Sequence, residues 1–250
     1  MYKYNILVVG AGGTGGLFTN FLAKFLNGRD KETYMVTLID GDTVEAKNIS
    51  RQPFVTEDVG ESKAKALTLA LTSAYDISMS YIGKYINSKN DIEQAFRAAD
   101  SLLGYGSKIR ILVGCVDNHA ARKCMHDYFM DANDCLYADS GNEFSHGEVV
   151  FGIKNKGKVI APDKCFYSPD IFDGELTPRA EESCEALNNS APQHLATNIL
   201  AADILLSGIA GLISDRKMPN GIVHFDSGIS GDFMMKHYPF IGGVDVREVG

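Results

Sequence analysis

The sequence has few of the features that mark secreted or nucleic-acid-binding proteins. It contains an odd number of cysteines and no Cys-x-x-Cys pair, which argues against a disulfide framework and a local zinc knuckle. The five cysteines are Cys115, Cys124, Cys135, Cys165 and Cys184. Lys and Arg number 24 against 32 Asp and Glu, and the resulting net charge of −8 argues against binding to nucleic acid.

A membrane segment and a leader peptide are also missing from the pattern. No apolar run reaches the length of a membrane span, and residues 1–4 lead into the first apolar strand without room for a signal peptide. We therefore expect a cytoplasmic protein that binds no membrane. The 250 residues are enough for a single domain with a substantial core, and no boundary divides residues 1–250.

Apolar strands alternate with amphipathic helices along most of the chain. Strands are predicted at residues 6–9, 34–39, 77–86, 109–116, 136–138, 147–153, 222–225 and 233–238. Helices are predicted at residues 17–26, 61–74, 91–99, 120–129 and 194–213. This order predicts an α/β fold of the Rossmann-like, doubly wound type, with a mostly parallel sheet, helices on both faces and C-terminal strands.

Two segments have a less definite pattern. Residues 154–192 contain four prolines and little periodicity, which predicts a long irregular loop that is either functional or mobile. The helix at 194–213 is rich in alanine and glycine, so its faces allow close approach of another helix. Two positions are open for this helix, the core of the domain and a dimer interface.

A glycine-rich turn joins the first strand to the first helix. Gly10, Gly12, Gly13 and Gly15 follow the apolar residues 6–9 without a break. In such a turn the first glycine makes the bend, the second lets the backbone approach a phosphate, and Gly15 lets helix and strand pack closely. The pattern predicts a nucleotide phosphate site, and a glycine turn without a ligand is the alternative.

Charged residues follow the carboxyl ends of the next strands. Asp40 ends the second strand, where a carboxylate binds ribose in dinucleotide folds. Arg51 and Lys63 come next, and a reacting triphosphate needs such cations more than a dinucleotide does. Asp117 ends another strand and suits magnesium. The alternatives are a surface ion pair for Arg51, a solvated position in the first helical turn for Lys63, and a helix cap for Asp117.

Five motifs in this order resemble the adenylation domain of ThiF, MoeB and the ubiquitin-activating enzymes. They are Gly10-x-Gly12-Gly13-x-Gly15, Asp40-x-Asp42, Asn48-x-x-Arg51-Gln52, Lys63, and Cys115-Val116-Asp117-Asn118 with Arg122. The likeness continues more weakly to about residue 226. Ser183-Cys184-Glu185 and the helix after it are similar to ThiF-related proteins of bacterial plasmid and mobile-element cassettes.

The resemblance implies ATP-dependent adenylation of the C-terminal glycine carboxylate of a ubiquitin-like or sulfur-carrier protein. Asp40 would hold the ribose, Arg51 and Lys63 would contact the phosphates, and Asp117 would hold Mg²⁺. The other implied nucleotide-binding positions are Gly10, Gly12, Gly13, Gly15, Asp42, Asn48, Gln52 and Asn118. The implied partners are a carrier ending in Gly-Gly, a conjugating-enzyme-like protein and a second copy of the chain.

The chain departs from this family in two features. Relatives with structural zinc carry two Cys-x-x-Cys pairs, so we expect no zinc here. Some dimeric relatives supply an arginine across the interface from an N-terminal helix, for which this chain starts too late. Arg122 is the nearest replacement within the motifs, and a structural ion pair is its alternative role.

A thioester-forming cysteine is a further expectation. In related enzymes a crossover loop covers the adenylate, and residues 154–192 are the matching segment. Cys184 is the candidate nucleophile there and Cys165 its rival, although the carboxylates next to Cys184 oppose thiolate formation. Two other functions remain open, an NAD-binding oxidoreductase and a non-catalytic scaffold of the same family.

Overall fold

The computed structural model describes residues 2–172, 193–229 and 231–241. Its nine strands form one sheet in the order β3-β2-β1-β4-β5-β6-β8-β9, and β7 pairs with β6 beside this path. The strands are β1 Lys3–Val9, β2 Tyr34–Ile39, β3 Met79–Ile82, β4 Lys108–Gly114, β5 Cys135–Asn142, β6 His146–Asn155, β7 Lys158–Ala161, β8 Gly221–Ser227 and β9 Phe233–Tyr238.

Among the described residues, six α-helices pack on both faces of this sheet. They are α1 Gly13–Leu26, α2 Lys63–Tyr75, α3 Lys89–Leu103, α4 His119–Asp131, the short α5 Lys164–Tyr167 and α6 Leu195–Asp215. Strand β1 alternates as its period of two requires, with Ile6 and Val8 packed toward α1, α2 and α6. Its neighbours Leu7 and Val9 pack toward α3 and α4 on the other face.

The strand directions place the functional edge of the sheet. Strands β3, β2, β1, β4 and β5 are parallel neighbours, whereas β6, β7, β8 and β9 join by antiparallel pairing. The chain runs from β1 outward through β2 to β3, and then returns to β4 on the other side of β1. In open α/β sheets a ligand binds at such a switch point, beyond the carboxyl ends of the strands. The predicted Rossmann-like fold is confirmed.

Two predicted segments differ from the structure. The strand predicted at 77–86 is limited to Met79–Ile82, because the chain leaves the sheet edge after it and Tyr85 turns toward Asp42. The irregular segment predicted at 154–192 is wrong for residues 154–172, which contain the end of β6, all of β7 and α5. Strand β7 is four residues long and forms by pairing with β6, so local periodicity could not predict it.

Helix α6 matches the helix predicted at 194–213, but it contradicts the expectation that no apolar run reaches the length of a membrane span. With 21 residues and a mean hydropathy of 1.7 in its most apolar window, it is long and apolar enough to cross a membrane. In the structure, however, half of that window is buried, and α6 packs on α1 and on β5, β6 and β8. This packing is that of a core helix, the first of the two positions considered for it.

Candidate active site

A polar cavity of about 650 Å³ lies beyond the carboxyl ends of β1, β2 and β4. It brings together eleven of the positions proposed from the sequence. They are Gly10, Gly12, Gly13, Asp40, Asp42, Asn48, Arg51, Gln52, Lys63, Asp117 and Asn118. Gly15 lies beneath the cavity wall, and Cys184 lies outside the described residues. Residues from all five motifs therefore share one site.

The glycine turn forms the floor of this cavity. Gly10 has a φ of +100°, and a Cβ there would lie 2.4 Å from the carbonyl oxygen of Cys115. A Cβ on Gly15 would lie 2.0 Å from the Gly10 carbonyl oxygen, so the helix could not pack as closely with any other residue. In contrast, a Cβ on Gly12 would meet nothing within 4 Å. The helix N-terminus after Gly12 thus faces open space and has no side-chain cap.

Two carboxylates and a lysine form a network along one wall. Asp40 accepts hydrogen bonds from the backbone N–H groups of Ala11 at 2.6 Å and Asp42 at 2.7 Å. The Asp42 carboxylate in turn pairs with Lys63 Nζ at 2.9 Å and accepts the hydroxyl of Tyr85. Burial raises the pKa of Asp40, the charge of Asp42 raises it further, and Lys63 opposes both. The network holds Asp40 in place and leaves carboxylate lone pairs for a further ligand.

The loop after β2 presents an arginine to the same cavity. Asn48 is 3% exposed, and its side-chain oxygen accepts the Glu45 N–H at 2.9 Å. Its backbone carbonyl accepts the N–H groups of Arg51 and Gln52 at 3.1 and 2.9 Å. Arg51 itself is half-buried, and its side chain makes no hydrogen bond or ion pair within the described part of the chain. These hydrogen bonds fix the backbone of Arg51, and its guanidinium is available to a ligand.

At the β4–α4 junction the structure shows which residue caps α4, a role that the sequence left open for Asp117. Asn118 caps α4, since its side-chain oxygen accepts the Ala121 N–H at 3.0 Å. Asp117, the alternative cap, is exposed at the cavity. Arg122 is 7% exposed, lies 3.3 Å from Asp139 and also donates to the backbone carbonyl of Ser140. For Arg122 the structural ion pair is therefore the arrangement observed.

Several cavity residues have no counterpart among the sequence predictions. Asn142 links two elements, because it accepts the Thr14 hydroxyl at 3.0 Å and donates to Asn198 at 2.7 Å. Tyr85 and the Glu148–Lys164 ion pair also line the cavity. They come from β5, β6, α5, α6 and the loop after β3, where no motif or spacing distinguishes them from ordinary polar residues.

The described cysteines have environments that favour the protonated thiol. Burial raises the pKa of Cys115, Cys135 and Cys165 to about 12. Cys165, the rival nucleophile, is only 4% exposed, and Asp163 raises its pKa further. Access and ionisation therefore both oppose a nucleophilic Cys165.

The residues of the cavity fit a nucleoside triphosphate with a hard divalent cation. The open space over Gly12 and the uncapped helix N-terminus suit a phosphate. Arg51 and Lys63 supply positive charge, and Asp117 supplies an oxygen ligand of the type that Mg²⁺ prefers. Gln52 Oε1 and Asn198 Nδ2 are buried in the wall without a hydrogen-bond partner among the described residues, so a polar ligand could satisfy them.

Comparison with known proteins gives both sequence and structural relatives. The chain is 28% identical over 130 residues to ubiquitin-like modifier-activating enzyme 5 of Dictyostelium discoideum, covering 49% of this chain and 31% of that one. The Oryza sativa subsp. japonica protein of the same name is 30% identical over 122 residues, covering 48% and 28%. The match thus spans less than a third of either curated relative.

Solved structures match over nearly the whole chain. E. coli MccB with ATP has a TM-score of 0.64 at 18% identity, covering 96% of this chain and 64% of that one. MccB in complex with N-formylated MccA has a TM-score of 0.67 at 18% identity, covering 96% and 65%. PaaA has a TM-score of 0.62 at 18% identity, covering 95% and 64%. At this identity the likeness establishes a shared fold.

The doubly wound sheet and the polar cavity at its switch point define a Rossmann-like α/β protein. Within that class, the family model described as "ThiF family" matches residues 1–227. The chain belongs to the ThiF family, and the resemblance proposed from its five motifs is confirmed.

Proposed function

We propose that this chain is an ATP- and magnesium-dependent enzyme that adenylates the C-terminal glycine carboxylate of a ubiquitin-like or sulfur-carrier protein. The observation that carries the proposal is the convergence of Arg51, Lys63 and Asp117 on one cavity beside the open Gly12 turn. Membership of the ThiF family and homology to ubiquitin-like modifier-activating enzymes support an adenylyltransferase type of role.

The chemistry needs positioning and charge more than a catalytic base. A C-terminal carboxylate has a pKa of about 3.5 and is already ionised at neutral pH. One of its oxygens attacks the α-phosphorus of ATP, the bond to the β-phosphate oxygen breaks, and pyrophosphate leaves with the electron pair. The site must align the reactants and spread the negative charge, which suits its cations.

In this proposal the cavity residues have separate roles in binding ATP and Mg²⁺. Asp40 accepts ribose hydroxyls, since two backbone donors already hold its carboxylate. Arg51 binds phosphate oxygens, and Lys63 supplies a second positive charge next to Asp42. Asp117 holds Mg²⁺, which neutralises phosphate charge when bound. Gly10, Gly13, Asn48, Gln52 and Asn118 shape the turn, the loop and the helix N-terminus that present these groups.

The proposal also includes the binding partners, the oligomeric state and the cellular location of the chain. The carrier would be a small protein ending in Gly-Gly, with a conjugating-enzyme-like protein as its onward acceptor, and the enzyme would act as a homodimer in the cytoplasm. MccB has been solved with MccA, a case of a ThiF-fold protein in complex with a second chain. Light scattering on the purified chain tests the dimer, and small Gly-Gly-ended proteins from neighbouring reading frames are the carriers to test.

Carrier-dependent exchange of pyrophosphate into ATP tests the reaction. Labelled pyrophosphate should appear in ATP only when enzyme, Mg²⁺ and carrier are all present. A carrier lacking its final glycine is the matched control and should give no exchange. Absence of exchange with every Gly-Gly-ended neighbour, while MgATP binds, would favour the scaffold alternative.

ATP should bind with Mg²⁺, and NAD should bind much more weakly. Arg51 and Lys63 match the charge of a triphosphate, whereas only Asp40 at the end of β2 favours NAD. Isothermal calorimetry with each nucleotide measures the difference, and chelation of Mg²⁺ should weaken ATP binding. Tighter binding of NAD than of MgATP would reverse the assignment in favour of the oxidoreductase.

The second step that we propose is a carrier thioester on Cys184. The sulfur of Cys184 attacks the carbonyl carbon of the acyl adenylate, AMP leaves with the electron pair of the broken C–O bond, and the thiol proton passes to solvent. The described cysteines favour the protonated thiol, which leaves Cys184, outside the described residues, as the candidate nucleophile. Enzyme, MgATP and carrier should give a reductant-sensitive adduct on a gel. The adduct should be lost in Cys184→Ser and kept in Cys124→Ser. An adduct of normal yield in Cys184→Ser would exclude this residue, and no adduct in the wild type would indicate adenylation alone.

A further inference from the structure

Three metal-ligating side chains from two separate parts of the chain meet between α4 and the residues around α5. They are His126, Asp163 and Cys165, and their ligand atoms all lie within 4.8 Å of one another. His126 lies on α4, Asp163 precedes α5, and Cys165 lies within α5. These residues lie outside the set that lines the nucleotide cavity, so the proposed adenylation does not use them.

The cluster is buried and its geometry is specific. Asp163 is 3% exposed and Cys165 4%, and the carboxylate of Asp163 lies 2.8 Å from Nδ1 of His126. Phe172 packs against the imidazole, with the two rings at 73° to each other and 5.2 Å between centroids. A carboxylate, an imidazole and a thiol thus share a small space that is largely closed to water.

Helix capping, the usual role of an aspartate at this position, does not explain the contact between Asp163 and His126. Asp163 is the N-cap residue of α5, a position where aspartate usually accepts a helix N–H. Here its side chain makes no such cap and turns to His126 instead. In addition, the carboxylates of Asp163, Asp139 and Asp127 act on Cys165 against the guanidinium of Arg122. The nearest of these carboxylates, Asp163, has a ligand oxygen within 4.8 Å of the sulfur, where a cation could bind both groups.

We propose that His126, Asp163 and Cys165 form a transition-metal site that takes zinc. One sulfur, one nitrogen and one oxygen ligand are the set that suits Zn²⁺, whereas Mg²⁺ and Ca²⁺ require oxygen ligands. Ligand atoms in a tetrahedral zinc site are about 3.3–3.6 Å apart, so small side-chain movements close this cluster around an ion. Three protein ligands leave a fourth position for water.

When Zn²⁺ binds at this site, it replaces the thiol proton of Cys165. The S–H bond of Cys165 breaks, its proton passes to the buffer, and a sulfur–zinc bond forms without any change in oxidation state. A neutral His126 gives a ring-nitrogen lone pair, and Asp163 gives a carboxylate oxygen. Because ligands must be deprotonated, zinc affinity should rise with pH. The ion would tie the beginning of the 154–192 segment to α4.

The expectation of no zinc rested on the absence of Cys-x-x-Cys pairs. That reasoning applies to ligands that are close in sequence, whereas His126 is 37 residues from Asp163. A site built across two helices leaves no spacing signature in the sequence. The proposed ligand set therefore differs from the one that the sequence argued against.

Metal titration of the full-length purified chain tests the site. After chelator treatment and dialysis, the chain should bind about one Zn²⁺, measured against a chromophoric chelator. Co²⁺ in its place should give the thiolate-to-metal charge-transfer band of a cysteine ligand. Cys165→Ser should lose this band and bind zinc at least about a hundredfold more weakly, since even outer-sphere changes cost ten- to a hundredfold. Cys124→Ser, on the same helix as His126, is the matched control and should bind normally.

A second variant tests the site even if Cys165→Ser fails to fold. His126→Gln replaces a side chain that is 22% exposed, so it should fold, as circular dichroism would verify, and should also lose affinity. Unchanged zinc affinity in both folded variants would overturn the proposal. So would a charge-transfer band that persists in Cys165→Ser but disappears in Cys184→Ser. Because the readouts are metal binding and spectra, failure here leaves the proposed adenylation untouched.

Discussion

Arg51→Ala should reduce pyrophosphate exchange by about a hundredfold or more, the usual scale for removing a preorganised charge contact. The half-buried guanidinium lies at the cavity and has no side-chain partner within the described residues. Its charge is therefore available to the phosphates. Affinity for MgATP should fall by roughly tenfold to a hundredfold, because a hydrogen bond to a charged group is worth about 1.5–3 kcal/mol.

The fold should not be affected by this substitution. With no side-chain interaction lost, the free energy of unfolding should change by less than about 0.5 kcal/mol, as for ordinary surface substitutions. Arg97→Ala is the matched control, since Arg97 is an exposed arginine of α3 paired with Glu93. It should exchange and bind like the wild type. Near-normal exchange in Arg51→Ala would remove this arginine from the phosphate site.

Lys63→Ala should lower both activity and stability. Exchange should fall by about a hundredfold or more if the ammonium neutralises phosphate charge during the reaction. Lys63 is also 6% exposed and paired with Asp42 at 2.9 Å, so its loss leaves that carboxylate with fewer donors. Denaturant unfolding should show a loss of about 1–3 kcal/mol, limited because Tyr85 still donates to Asp42.

Lys65→Ala is the matched control for the losses of activity and stability expected in Lys63→Ala. Lys65 lies in the same first turn of α2, has a side chain that is 41% exposed, and pairs with Glu61. Its replacement should change stability by less than about 1 kcal/mol and leave exchange intact. Exchange should be measured well below the unfolding temperature of Lys63→Ala. A variant that is destabilised but fully active would restrict Lys63 to a structural role, which its contact with Asp42 alone would explain.

The fold and most of one cavity wall could be predicted because their signals are local. The strand, the glycine turn and the helix occupy consecutive residues, so hydrophobic period and glycine positions were sufficient to place Gly10 and Gly12. The alternation of strands and helices then indicated which strand ends meet, and thereby grouped Asp40 with Asp117. Conversely, strand β7 escaped prediction because a four-residue strand forms only by pairing with its neighbour.

The roles of individual charges were decided by the tertiary structure. The sequence left Lys63 between a ligand contact and a solvated position in the first helical turn, and Arg122 between a ligand contact and an ion pair. Spacing along the chain does not fix which side chains approach. Packing places Lys63 against Asp42 and Arg122 against Asp139. A buried charge requires a partner, and the partner is the oppositely charged group that the fold brings within reach.

Residue order alone identified the class of fold, the family and the edge of the sheet at which the polar cavity lies. These follow from periodicity and motif order, which are properties of neighbouring residues. Only the tertiary structure joined Asn142 to Asn198 and His126 to Asp163. Such contacts depend on sheet register and helix packing, and these are set by the burial of apolar surface over the whole chain rather than by any local pattern.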